Sequence, residues 1–167
     1  MIITHSYPRK HFMAILYGIM LRTLFQSDLE HILMIEKAVH VSPWTEQTFK
    51  ACFQSNYRGF VMEANKTLIG FIIISLGVEE CHVLNLGVAH AYQRQGYGHQ
   101  LLLHALNYAK SQGLRIVYLE VRRTNSRAIS LYKKLQFQLV GERKGYYQTV
   151  SGPEDALIFA RSLQEMA

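Results

Sequence analysis

The stretch from Cys81 to Gly113, CHVLNLGVAHAYQRQGYGHQLLLHALNYAKSQG, contains a strand pattern, a loop with two glycines and a helix pattern in direct succession. Its first part, CHVLNLGVA, is a short apolar run that favours a β-strand. Gly113 is a typical residue at which a helix ends. The next apolar run, RIVYLEV, predicts a second strand, so the middle of the chain is a strand–helix–strand unit. The helical stripe between the two strands consists of Leu102, Ala105, Leu106 and Ala109.

Shorter patterns on both sides of this unit predict the remaining elements. Three helices are expected, after Ser27 and Asp28, after Thr45 and after Asn125, because these residues are typical N-caps. Together the patterns predict an α/β or α+β domain, with helices on both faces of a mixed sheet. The other strands are expected at Leu21–Phe25, in two runs of RGFVMEANKTLIGFIIISLGV joined at residues 64–66, and near FQLVGERKGYY and EDALIFARSL.

Length, charge and cysteine usage restrict the class of protein. The 167 residues suit one domain, and the net charge of +6 favours anionic partners such as phosphates, nucleotides or RNA. A basic surface that is simply solvated is the alternative. Cys52 and Cys81 form no CxxC pair, which excludes the common zinc and redox motifs and predicts buried free thiols in a reducing compartment. The eight histidines show no metal-ligand spacing, so no metal is expected.

The N-terminus has the outline of a signal peptide. Arg9 and Lys10 precede an apolar run from Phe12 to Leu21, but no small-x-small cleavage site follows, and the run is too short to span a bilayer. Residues 1–19 are therefore interpreted as an extension or a mis-assigned start, with Met20 as an internal start. Residues 20–163 are the expected domain and residues 164–167 a tail, without membrane contact and in the cytoplasm.

The loop QRQGYG, from Gln93 to Gly98, has the chemistry of a diphosphate site. The first N–H groups of a helix lack intrahelical partners and lie at the positive end of its dipole, and glycine lets a ligand approach the backbone. Arg94 adds a positive charge. The loop is neither a GxGxxG motif, since Leu101 takes the place of the third glycine, nor a P-loop. A tight turn that binds nothing is the alternative.

Two motifs together resemble those of the Gcn5-related N-acetyltransferase (GNAT) family. Gln93, Gly96 and Gly98 match the acetyl-CoA signature [QR]xxGx[GA], and Asn125-x-x-Ala-x-x-x-Tyr132 matches most of NxxAxxxYxxxGF. The resemblance runs from about Met20 to Leu163. It implies the GNAT fold, with a mostly antiparallel sheet of about six to seven strands.

Further pieces resemble the RimI-type subgroup, which acetylates the N-terminal alanine of a small-subunit ribosomal protein. These pieces are SPWTEQTF, LNLGV, YLEVRRTNSRAISLY, and GYY followed by EDALIF. Three positions depart from the pattern. Gln136 replaces the glycine of the second motif, Gln148 replaces a proline, and Ala89-His90 replaces a common aspartate.

The resemblance implies direct acyl transfer from acetyl-CoA to an amine, and it assigns residues to the cofactor. Leu86 to Val88 are expected to pair with the acetyl and pantetheine groups, with the Val88 amide as oxyanion donor. The amides of residues 95–99 are expected to bind the diphosphate. The complete expected acetyl-CoA set is Leu86, Gly87, Val88, Arg94, Gln95, Gly96, Tyr97, Gly98, His99, Asn125 and Tyr132.

Glu120 and Tyr132 are the expected catalytic residues. Alternation along RIVYLEV places Glu120 on one face with Ile116 and Tyr118, and a carboxylate in an interior strand is costly to bury without a task. The resemblance makes Glu120 the base and Tyr132 the acid that protonates the thiolate. The alternatives are an ion pair of Glu120 with Arg122 or Arg123, and a Tyr132 that serves only the core.

The acceptor is expected to be a ribosomal-protein N-terminal peptide. Trp44, Tyr146, Tyr147, Glu154 and Asp155 are expected around its entrance, where the two carboxylates would steer a basic peptide; a solvated hairpin is the alternative. No direct nucleic-acid contact and a monomeric state are predicted. Two other functions stay open: acetylation of a small amine or lysine side chain, and a non-catalytic acetyl-CoA-binding or ribosome-associated module.

Overall fold

Seven strands form one sheet in the order β1-β2-β3-β4-β5-β7-β6 in the computed structural model, which describes residues 18–53, 57–149 and 152–164. All neighbouring strands are antiparallel except β4 and β5, which are parallel. The predicted mixed, mostly antiparallel sheet is confirmed. The strands are β1 Ile19–Thr23, β2 Tyr57–Ala64, β3 Thr67–Leu76, β4 Glu80–Val88, β5 Ile116–Arg122, β6 Gln138–Thr149 and β7 Gly152–Ser162.

Four α-helices cover both faces of this sheet, as the sequence predicted. They are α1 Leu29–Val39, α2 Glu46–Ala51, α3 Tyr97–Ser111 and α4 Ser126–Lys134. Helices α3 and α4 pack on one face, where the predicted stripe of α3 is buried in the larger core. Helices α1 and α2 pack on the other face, in a smaller core around Ile32, Phe49 and Phe71.

Two of the three predicted helix caps are confirmed. Thr45 Oγ1 accepts from the backbone N–H of Thr48 at 3.2 Å, and Asn125 Oδ1 accepts from that of Ala128 at 3.1 Å. The cap predicted at Ser27 and Asp28 is wrong in its chemistry, although α1 begins directly after Asp28. The Asp28 carboxylate pairs with Arg22 at 2.7 Å and accepts from the Phe25 N–H, so it stabilises the preceding 3-10 turn instead.

The predicted boundaries of the chain are only partly covered by the described residues. Residues 1–17 and 165–167 lie outside them, so the predicted extension and tail stay predictions. The described core elements run from Ile19 to Ser162. The first strand begins at Ile19, two residues before its predicted start. Within the described ranges, no helix is both long and apolar enough to cross a membrane.

Candidate active site

Strands β4 and β5 separate at their carboxyl ends and leave a cleft in the sheet. They pair only from Glu80 to Val83 and from Ile116 to Leu119, and both strands continue beyond the last pair. A bulge causes the separation, because β3 pairs with Val83 and then with Asn85 and leaves Leu84 without an opposite residue. Ligands commonly bind at the carboxyl ends of parallel strands where neighbouring strands diverge.

A row of backbone N–H groups lies beside this cleft at the start of α3. The backbone N–H groups of residues 94–99 donate to no acceptor in the described part of the chain. Arg94 and Gly96 have φ values of +63° and +88°, which turn successive amides toward one side of the loop. Such a nest of amides at a helix N-terminus binds anions such as a diphosphate.

Close packing holds this loop against the end of β4. The Gln93 side chain donates from Nε2 to the carbonyl oxygen of Val88 at 2.9 Å. A Cβ atom on Gly98 would lie 3.8 Å from Val88 and 3.6 Å from Leu131 of α4. The start of α3 therefore lies between the end of β4 and helix α4, which carries Tyr132.

Gly87 lets β4 pack closely over the Phe71 ring of β3. A Cβ atom at this position would lie 2.6 Å from the Phe71 ring, so only glycine fits over that ring. Leu86 and Val88 pack against the larger core. The structure therefore brings Leu86, Gly87 and Val88 to the mouth of the cleft, and their contacts with a cofactor stay a prediction.

Glu120 lies on the face of β5 opposite α3 and α4. Val117, Leu119 and Val121 are buried in the larger core, so alternation turns Glu120 to the other face, where its side chain is 28% exposed. Its ion pair is with Arg143 Nε of β6 at 3.1 Å. The alternative pairing with Arg122 or Arg123 is not formed, because those side chains pair with Glu154 and Glu142.

A second bulge directs the β6 side chains toward Glu120. Arg143 pairs with Ala156 and Tyr147 with Glu154, so residues 144–146 stand opposite Asp155 alone. The Asp155 carboxylate fills this bulge and accepts from the Gly145 N–H at 2.9 Å. The negative charge of Glu120 raises the pKa of Tyr146, and burial is the second cause. Bulges commonly re-aim side chains in this way next to active sites.

Tyr132 is buried on α4, the helix that was predicted to begin after Asn125. Its ring lies 6.0 Å from that of Phe137 and 6.2 Å from that of Phe159. Burial raises its pKa, and the charge of Tyr147 does so to a smaller extent. Its hydroxyl has no hydrogen-bond partner among the described residues. Because its pKa is raised, the hydroxyl is protonated at neutral pH.

Three of the predicted acceptor residues, Trp44, Tyr146 and Tyr147, lie on the same side of the sheet as Glu120. The rings of Tyr146 and Tyr147 are 5.1 Å apart, and the Arg122 guanidinium stacks 4.2 Å from the Tyr147 ring centre. Trp44 packs on Phe49 at 5.3 Å in the segment between α1 and α2. The structure thus gathers the aromatic residues around the Glu120 face.

Both predicted acidic residues are engaged by the protein itself. Glu154 accepts from Thr124 and pairs with Arg122, and hydrogen bonds from Thr124 lower its pKa. The pKa of Asp155 is lowered chiefly by the Gly145 N–H. Since protein donors already bind both carboxylates, their steering of a basic peptide stays a prediction.

Sequence reasoning missed three residues of this region: Arg122, Arg143 and Glu36. Glu36 is 1% exposed and accepts from Asn85 Nδ2 at 3.1 Å and from the Trp44 N–H at 2.7 Å. The sequence could have indicated Glu36, because this charged residue occupies a position on the apolar face of α1. Arg122 and Arg143 had no such signal, because their partners lie on strands distant in sequence. Among the described residues, no cluster of three or more histidine, cysteine, aspartate or glutamate side chains could hold a metal ion.

Known proteins resemble this chain in both sequence and fold. The model of the acetyltransferase (GNAT) family matches residues 19–137. The ribosomal protein bS18-alanine N-acetyltransferase of Escherichia coli strain K12 is 36% identical over 138 residues, which cover 83% of this chain and 93% of that protein.

Solved structures give the same result. The crystal structure of the ribosomal-protein-S18-alanine N-acetyltransferase from Escherichia coli has a TM-score of 0.84 at 34% identity, covering 89% of this chain and 96% of that one. Arabidopsis thaliana NAA60 in complex with acetyl-CoA has a TM-score of 0.77 over 86% and 98% of the two chains. At 22% identity this second likeness concerns the fold alone.

Proposed function

The chain belongs to the acetyltransferase (GNAT) family, and from this we propose that it transfers the acetyl group of acetyl-CoA to the N-terminal alanine of a small-subunit ribosomal protein. The observation that carries the chemistry is the cleft between β4 and β5. The start of α3 lies beside it, with backbone N–H groups that donate to no acceptor among the described residues, and Glu120 lies on the face of β5 opposite α3. The choice of acceptor is supported by the 36% identity to the bS18-alanine enzyme.

Acetyl-CoA lies in the cleft in this proposal. The backbone N–H groups of residues 95–99 bind its diphosphate, and Arg94 adds a positive charge nearby. Leu86, Gly87 and Val88 pair with the pantetheine and acetyl groups along the edge of β4 that has no strand partner. The Val88 N–H donates to the carbonyl oxygen as negative charge develops there. Asn125 both caps α4 and contacts the cofactor.

Glu120 and Tyr132 move the protons. The neutral amine attacks the thioester carbon, a C–N bond forms, and the C–S bond breaks with both electrons leaving on sulfur. Glu120 accepts the amine proton, directly or through a water, and the free α-amine needs only a modest base because its pKa is about 8. The Tyr132 hydroxyl donates its proton to the departing thiolate. The raised pKa of Tyr132 keeps this proton available at neutral pH.

The acceptor peptide enters from the α1 side of the sheet. Trp44, Tyr146 and Tyr147 border the path to Glu120. A ribosomal substrate is met in the cytoplasm, so the proposal includes a cytoplasmic location and a monomer that contacts the peptide without binding nucleic acid or membrane.

The test combines the purified chain with acetyl-CoA and a short basic peptide that begins with alanine. Free CoA thiol and peptide mass are measured together. We expect one acetyl group per peptide, released CoA in equal amount, and no reaction when the N-terminal amine is blocked. Transfer to a lysine of the blocked peptide, or faster transfer to a polyamine, would reassign the acceptor. Binding of acetyl-CoA without any transfer would contradict catalysis.

A further inference from the structure

Arg122 connects two separate segments that border the Glu120 face. The first segment is loop 40–45, between α1 and α2, and the second is the β6–β7 hairpin. Arg122 Nη2 donates to Ser42 Oγ at 3.0 Å in the loop, and Nη1 pairs with Glu154 Oε2 at 3.1 Å in β7. The same guanidinium stacks on Tyr147 of β6.

The contacts of Arg122 are well defined because its partners are themselves held in place. The Arg122 side chain is 15% exposed and that of Glu154 is 18% exposed, so the pair is largely shielded from water. Glu154 also accepts from the N–H and hydroxyl of Thr124. Since arginine presents several donors in a fixed plane, it can bind Ser42 and Glu154 at the same time.

Loop 40–45 has two kinds of attachment. Its far end is attached to the buried Glu36 through the Trp44 N–H. Its middle is attached through Ser42, and among the described residues this is the hydrogen bond that links the loop to the β5–β7–β6 half of the sheet. The distance between loop and hairpin therefore depends on the Ser42–Arg122–Glu154 bridge.

We propose that this bridge makes Arg122 a specificity-determining residue, which sets the width of the acceptor groove beside Glu120 and so favours a small first side chain. The inference rests on the proposed function. Arg122 follows Glu120 by two residues on the same face, which is about 6.8 Å along a strand. An amine bound at Glu120 therefore has its own side chain next to the bridge, where a methyl group fits and a longer chain meets loop 40–45.

The test compares Ser42→Ala, Arg122→Lys and the double variant with the wild type. Ser42 is exposed, so its substitution removes the bridge without unfolding the chain. Ser42→Thr keeps the hydroxyl and serves as the rescue. Arg115→Lys is the matched control, since Arg115 precedes β5, is 60% exposed and pairs with Glu79 far from the groove.

Two measurements distinguish an effect of the bridge on specificity from a general loss of stability. The first is kcat/KM for otherwise identical peptides that begin with alanine or leucine. We expect the alanine preference to fall about threefold to tenfold in Ser42→Ala, the range for the net loss of one typical intramolecular hydrogen bond, with an unchanged KM for acetyl-CoA. The second is acrylamide quenching of Trp44, the single tryptophan, which reports the mobility of loop 40–45 without any substrate.

Each outcome has one meaning. A wild type that acetylates no peptide contradicts the proposed function, whatever the variants do. A wild type that prefers alanine, with the same preference in Ser42→Ala and Arg122→Lys, overturns the bridge alone. Lower preference in both, restored in Ser42→Thr, together with greater Trp44 quenching, supports it. If the double variant loses no more preference than Arg122→Lys alone, the two residues act through one contact, as proposed.

Discussion

Among the described residues, Glu120 forms one ion pair, with Arg143, and its side chain lies on the face of β5 opposite α3 and α4. Glu120→Gln keeps the size of the side chain and removes the proposed base. We expect kcat to fall about a hundredfold, which is the lower end for general base catalysis because the α-amine needs little help. The affinity for acetyl-CoA should stay unchanged, because the amides proposed to bind its diphosphate, those of residues 95–99, lie on another element. Steady-state kinetics and calorimetric titration with acetyl-CoA measure the two effects.

Arg143 supplies the control for this variant. Arg143→Gln breaks the same ion pair from the other side and leaves the carboxylate in place. If Glu120 acts chemically, Arg143→Gln should lose much less activity than Glu120→Gln. Equal losses would mean that the ion pair supports the fold of the groove and that Glu120 is no base.

Tyr132→Phe should remove the proposed acid and leave the fold intact. The hydroxyl has no hydrogen-bond partner among the described residues, so we expect a change in melting temperature of less than about 2 °C. We expect kcat to fall at every pH. Because burial raises the pKa of Tyr132, ionisation of this group should not reduce wild-type activity below about pH 10, its ordinary value.

The raised pKa of Tyr132 also makes the stability of the fold depend on pH. The folded chain holds the Tyr132 proton more tightly than the unfolded chain, so this contribution to stability is complete below about pH 10 and is lost as the pH rises further. Urea unfolding between pH 8 and 11 checks it. The stability of Tyr132→Phe should fall less over this range than that of the wild type, and parallel curves would contradict the assignment.

For single residues, the sequence indicated the candidate side chains but not the residues that they contact. Alternation placed Glu120 on the correct face, and the helix predicted after Asn125 carries Tyr132. Arg143 lies 23 residues from Glu120 in sequence (143 − 120), on a strand that is not its neighbour in the sheet. Contacts of this kind depend on the register of β6, which no local pattern specifies.

Helix α3 offers a direct test of the anion site, because glycines with positive φ stand at both ends. Gly96 has φ +88° and Gly113 has φ +78°, and a Cβ atom at either would meet nothing within 4 Å. Gly96→Glu and Gly113→Glu therefore cause similar backbone strain, of about 1–2 kcal/mol. Only Gly96→Glu places a carboxylate beside the unpaired amides. We expect it alone to weaken acetyl-CoA binding, by at least about tenfold, as measured by calorimetry.

The two melting temperatures serve as the control for that comparison. Both variants should unfold at a similarly lowered temperature in the absence of ligand. Equal affinities of both variants for acetyl-CoA would show that the amides of residues 94–99 bind no diphosphate.

The end of α4 carries an avoidable strain. Gln136 has φ +62°, where the related motif has glycine, as the sequence suggested. Gln136→Gly should stabilise the chain by about 1 kcal/mol and raise its melting temperature by about 2–4 °C. Gln138→Gly, two residues later in β6, should do the opposite, because glycine weakens a strand. A lower melting temperature for Gln136→Gly would mean that its side chain makes a stabilising contact.

The helices and two of their three predicted caps could be read from the sequence, whereas the bulges could not. The bulge at Leu84 turns Asn85 toward Glu36 on the α1 side, although unbroken alternation would place it on the same face as Val83. The bulge at residues 144–146 likewise directs Tyr146 to Glu120. Because one additional residue inverts the faces of a strand, the alternation of two faces breaks down at the strands that form the candidate site.

The whole sheet consists of two halves that meet at a short junction. Strands β1–β4 form one half and β5, β7 and β6 the other, and they are joined by the parallel pairs from Glu80–Ile116 to Val83–Leu119. The proposed cofactor lies in the continuation of this junction. Its binding should therefore stabilise the contact between the halves, in addition to raising the melting temperature.

Cys81 reports on this junction, because it pairs with Val117 inside it. The residue is 1% exposed, and burial raises the pKa of its thiol to about 12. Since only the thiolate reacts, alkylation requires the junction to open. Cys52 is also buried, but it lies at the end of α2 in the other core and serves as an internal control.

We expect iodoacetamide to label Cys81 slowly in the native chain, and acetyl-CoA at a hundred times its Kd to slow this labelling about a hundredfold. Mass spectrometry of the two cysteine peptides measures both rates in one sample. If the junction opens locally, only Cys81 is protected, because Cys52 becomes reactive by other openings. Equal protection of both thiols would mean that Cys81 reacts only after global unfolding, and the two halves then behave as one cooperative unit. A Cys81 rate that does not respond to acetyl-CoA would contradict binding at the junction.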